Sequence, residues 1–147
     1  MDESSEPPSG EPDDPTVVRS VAVTASDAIA AVEAHKQRGA TVVLRVTPPF
    51  SGRMRARLHV DRGESPADVY VEPTDLFDDS VPAYPDPADT EDQLRTDPAA
   101  EYTVDRHREL HEQTVEEWRT AARDHFVDEA PLRTPDTSHP VTVTILG

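Results

Sequence analysis

Thr47–Val60 reads TPPFSGRMRARLHV, and the architecture turns on how this segment is read. Its opening residues carry Pro and Gly, the chemistry of a turn. From Arg53 the pattern becomes a strict alternation: Met54, Ala56, Leu58 and Val60 point one way, and Arg53, Arg55, Arg57 and His59 point the other. A period of two describes a strand with one face packed and one face open to water or a partner. Alternate residues of a strand stand about 6.7 Å apart, so three guanidinium groups span about 13 Å.

On the N-terminal side, TVVRSVAVT (Thr16–Thr24) and ATVVLRVT (Ala40–Thr47) are Val-rich and read as strands. Between them SDAIAAVEAHKQRG has the signals of a helix, with Ser26 as N-cap, Asp27 in the first turn, Lys36 and Arg38 in the last and Gly39 as the stop. On the C-terminal side, a short strand around Val69–Val71 and a short helix near Asp89–Arg95 interrupt a long stretch punctuated by Pro. Periodicity then predicts a long helix from Val104, capped by Thr103, to about Val127. PVTVTILG closes the chain as a strand.

Without the segment from about 61 to 102, the order is strand, helix, strand, strand, helix, strand. It predicts an α+β fold: a ferredoxin-like βαββαβ two-layer sandwich with an acidic insertion between the third strand and the last helix. That arrangement makes the arginine strand central. Residues 1–15, rich in Ser, Pro and carboxylates, read as a disordered acidic tail, and 16–147 as a single domain.

The 147 residues carry a net charge of -16, with 30 acidic residues against 14 basic ones, of which only Lys36 is a lysine. Such a bias suits a cytoplasm at molar salt, where the Debye length is about 3 Å and charged partners must be held by direct contact. There is no cysteine, which removes disulfide and thiolate chemistry. No run of 18 apolar residues is present, so neither a membrane span nor a signal peptide is expected and the reading is cytoplasmic.

LRVTPPFSGRMRARLHV followed by YPDPADTEDQLRTDPAAEYTVDRHRELHEQTVEEWR resembles a family of small acidic proteins from halophilic archaea. The resemblance covers Val17 to about Leu146. It implies habitat and single-domain extent, and brings no activity, cofactor or catalytic residue with it.

The functional signal is charge asymmetry. From Arg19 to Arg62 there are eight basic and three acidic residues, whereas Asp61–Tyr102 holds 13 acidic and two basic ones. Arg53, Arg55 and Arg57, joined by Arg45 on the outward parity of the second strand, form a candidate anion- or partner-binding face. The leading expectation is a non-enzymatic interaction module in which this face pairs with the chain's own acidic insertion or with a second copy in a homodimer. The alternative is direct binding of phosphate, nucleotide or single-stranded nucleic acid, which suits the planar guanidinium fork but lacks stacking aromatics beside it. A third reading concerns His107 and His111, whose i, i+4 spacing can present two imidazoles to a divalent metal. HRELH lacks the glutamate a metalloprotease helix needs, and ordinary rim histidines are commoner than ligands. No phosphate-binding loop and no nucleophile motif is found, so neither a catalytic residue nor a resident cofactor is assigned.

Overall fold

The computed structural model describes residues 13–38, 41–61 and 68–147. The N-terminal part of the proposed tail and the helix stop at Gly39 lie outside these residues. Two compact units are found: residues 1–78 with 126–147, and residues 79–125.

The first unit is built on a mixed sheet. Its elements in chain order are β1 (Ser20–Thr24), α1 (Ala25–Arg38), β2 (Thr41–Arg45), β3 (Arg53–Arg55), β4 (Arg57–Asp61), β5 (Tyr70–Val71), β6 (Glu129–Arg133) and β7 (Ser138–Leu146). The sheet order is β3-β1-β7-β6-β5-β2-β4. β1 runs parallel to both β3 and β7, and the remaining pairs are antiparallel. The two outermost strands, β3 and β4, are consecutive in the chain with only Ala56 between them. The sheet therefore curls until its two edge strands are consecutive halves of one segment.

Alternation explains the interior. Val21, Val23, Leu44, Val71, Leu132, Val141 and Val143 are buried, while Thr142 and Thr144 beside them are exposed. Each Leu or Val taken wholly out of water contributes about 1.5–3 kcal/mol. α1 adds Ala28, Ile29, Ala31 and Val32 to this core and packs on β1, β2 and β4. Its cap lies two residues earlier than Ser26: the Thr24 hydroxyl accepts the Asp27 N–H at 3.0 Å.

The α+β class stands, but the ferredoxin-like βαββαβ sandwich does not, because seven strands are present among the described residues. Three local facts account for the difference. Arg53–Val60 is not one central strand: it changes neighbour at Ala56, whose N–H donates to Ala22 O at 2.9 Å. Glu129–Arg133 is a strand despite Pro131, because Pro131 lies directly opposite Pro140, at a position where neither missing N–H is needed. The two-residue β5 bridges β2 and β6.

The second unit is a helix pair, α2 (Pro87–Arg95) and α3 (Val104–Ala122). Thr103 caps α3 through Arg106 N–H at 3.0 Å, and α3 ends five residues before the expected Val127. Leu94, Val115, Trp118 and Ala122 are its buried apolar side chains. The Trp118 indole donates to Pro82 O at 2.8 Å and meets Tyr84 edge-on. Val104, the first residue of α3, is 65% exposed.

Candidate anion-binding site

The outward parity of Arg53–Val60 survives the change of neighbour, because Ala56 keeps its Cβ in the core at 1% exposure. Arg53, Arg55 and Arg57 are all exposed. Arg53 stands beside Ser20 and Arg55 beside Ala22, short side chains that leave the guanidinium groups projecting. Arg57 lies directly opposite Arg45 on β2. Like charges facing each other across a ladder are mutually destabilising unless an anion or solvent separates them. No ion pair or hydrogen bond is made by the side chains of Arg53, Arg55 or Arg57 among the described residues.

Register extends the row beyond the residues chosen from sequence. Arg57 pairs with Arg45, Arg45 with Tyr70, and Tyr70 with Arg133. Four strands thus carry three arginines and a tyrosine on one outward line, at about 4.8 Å per strand. Arg133 was not singled out in the sequence, where a lone Arg after EAPL carries no pattern. It is the member already neutralised: its Nη2 donates to Asp75 at 2.9 Å, and that bond raises its pKa above the ordinary arginine value. Asp75 belongs to the acidic insertion, which therefore spends this carboxylate on Arg133 rather than on Arg53–Arg57. Arg45 is half-buried and approaches His59 Nδ1 at 3.5 Å.

His107 and His111 are brought together, with ring centroids 6.2 Å apart. Between them stands Thr90, buried at 3% exposure. Its hydroxyl lies 3.2 Å from His107 Nε2 and 3.1 Å from His111 Nδ1. His107 Nε2–H also donates to Pro87 O at 2.9 Å. The two nitrogens that face each other are thus occupied in joining α2 to α3. No group of three or more His, Cys, Asp or Glu side chains suited to a metal occurs among the described residues.

No described helix is long and apolar enough to cross a membrane. The family model described as a domain of unknown function (DUF8009) matches residues 8–147. No curated protein and no solved structure matches the chain.

Proposed function

The chain belongs to the DUF8009 family, and from that premise we propose a non-enzymatic interaction module that docks Arg53, Arg55 and Arg57 onto the acidic surface of a second copy. One observation carries this reading: three exposed guanidinium groups that meet no ion-pair or hydrogen-bond partner among the described residues, in a chain of net charge -16. A protein so acidic has carboxylates to spare, and leaving these three cations open has a use only if something else meets them. Residues 79–125, with 13 acidic and five basic residues, supply the complementary surface in a second copy. Arginine fits the task because its fork makes two charge-assisted hydrogen bonds to one carboxylate, which outlast screening at high salt. The scarcity of lysine and the excess of carboxylates support a halophilic, cytoplasmic setting, and the module works without a resident cofactor.

The test is sedimentation in concentrated salt across a range of protein concentrations. Reversible association is expected, and Arg55→Gln should weaken it at least tenfold while leaving the melting temperature unchanged. A wild-type protein that stays monomeric at every concentration refutes the proposal. One observation favours a second reading, binding of single-stranded nucleic acid: register places half-buried Tyr70 beside Arg45, and an aromatic near cations is what a base needs for stacking. A short labelled oligonucleotide that binds the wild type and not Arg55→Gln would put that reading first.

A further inference from the structure

Where β2 ends and the chain enters the Thr47–Gly52 loop, a cleft of about 280 Å³ opens in the first unit. Its apolar lining comes from Pro15, Val46, Pro48, Phe50, Val69 and Pro135. Three charged residues also line it: Arg45, Asp13 and Asp68. Arg45 is half-buried, and no ion pair joins it to either aspartate. A cation and two carboxylates thus share one small cavity without neutralising one another.

That separation selects the ligand. A bare anion would gain Arg45 but also meet two carboxylates, and a bare cation would gain the carboxylates but meet Arg45. Only a molecule bearing both charges satisfies both ends. The volume lies just under the ~300 Å³ at which sites for drug-sized ligands begin, and apolar walls with a few convergent polar groups are the usual make-up of a small-molecule site. We propose that this cleft binds a small zwitterion with a compact apolar body, of the amino-acid or betaine class. Its carboxylate lies on the Arg45 guanidinium and its ammonium group is turned toward Asp13 and Asp68. The site is independent of the docking proposal, since Arg53, Arg55 and Arg57 do not line it.

The experiment follows amide shifts of the labelled full chain during titration with L-leucine, L-proline and glycine betaine. Each titration is repeated with 4-methylpentanoate, which lacks the amine, and with isopentylamine, which lacks the carboxylate. Saturable shifts centred on Val46, Phe50 and Val69 are expected for at least one zwitterion, with at least tenfold weaker binding of both truncated probes. Arg45→Gln should abolish the saturation while keeping the amide spectrum dispersed. Asp68→Asn should weaken the zwitterion and leave 4-methylpentanoate no weaker. Arg55→Gln should change nothing here, whatever it does to self-association. The idea is overturned if no zwitterion saturates the cleft, if 4-methylpentanoate binds as well as the best zwitterion, or if Arg45→Gln and Asp68→Asn both bind as the wild type does.

Discussion

Asp14 is the clearest case of one contact setting one property. Its carboxylate accepts the Thr16 hydroxyl at 2.6 Å and the Thr16 N–H at 2.9 Å. These bonds, the hydroxyl's first, hold its pKa below the ordinary aspartate value. A carboxylate whose pKa is lower in the folded than in the unfolded chain contributes stability above the unfolded pKa, and that contribution is lost as pH falls through the folded one. Thr16→Val removes the larger cause while keeping shape, so the Asp14 titration should move up toward ordinary aspartate, read from the carboxyl carbon resonance. An unmoved midpoint would show that the hydroxyl is not the cause. At this scale the outward arginines were legible, because alternation alone places Arg53, Arg55 and Arg57 on one face whatever strand lies beside them. Arg133 was not, because its place beside Tyr70 depends on strand register. Thr90 was missed for a similar reason: a single Thr on a short helix gives no sign that it will sit between two histidines of another helix.

Elements were legible in proportion to their local signals. β1, α1, β2, α2, α3 and β7 follow from periodicity and caps, with ends displaced by a few residues. β6 is not legible in the sequence, since a Pro in mid-strand ordinarily argues against a strand and only its partner Pro140 makes Pro131 harmless. The decisive element is the segment around Ala56. In sequence it is one uniform strand, and in the fold it serves two neighbours, pairing with β1 up to Arg55 and with β2 from Arg57. The small side chain at 56 is fully packed at that change of partner. Ala56→Leu should therefore overpack the interior and cost about 1–3 kcal/mol, measured by urea unfolding. A stability equal to the wild type would mean that the two halves can part there without loss.

On the scale of the whole molecule, the chain of the first unit leaves and returns side by side around residues 79–125. Phe77 and Phe126 form an isolated bridge with stacked rings 4.8 Å apart, and Val127 N–H donates to Leu76 O at 2.9 Å. Chain ends held this close are the usual condition for a tolerated insertion. Replacing residues 79–125 by a short Gly–Ser turn should leave the sheet folded, with a cooperative melt and the β-type circular dichroism of the first unit. A molten product would show that the helix pair is needed for the sheet to form. By itself, the sequence determined that the protein is α+β, that its strands bury Val and Leu on one parity, and that three arginines share the other. Those features depend on local chemistry: a period of two or of 3.6, a cap, a turn. Only the tertiary structure decided that the described residues form a sheet of seven strands whose two ends meet at Ala56. It also decided that Arg57 faces Arg45, and that Arg45 shares a cleft with Asp13 and Asp68. The reason is that strand pairing joins residues far apart in the chain, and their register follows from the burial of the whole interior rather than from any one segment.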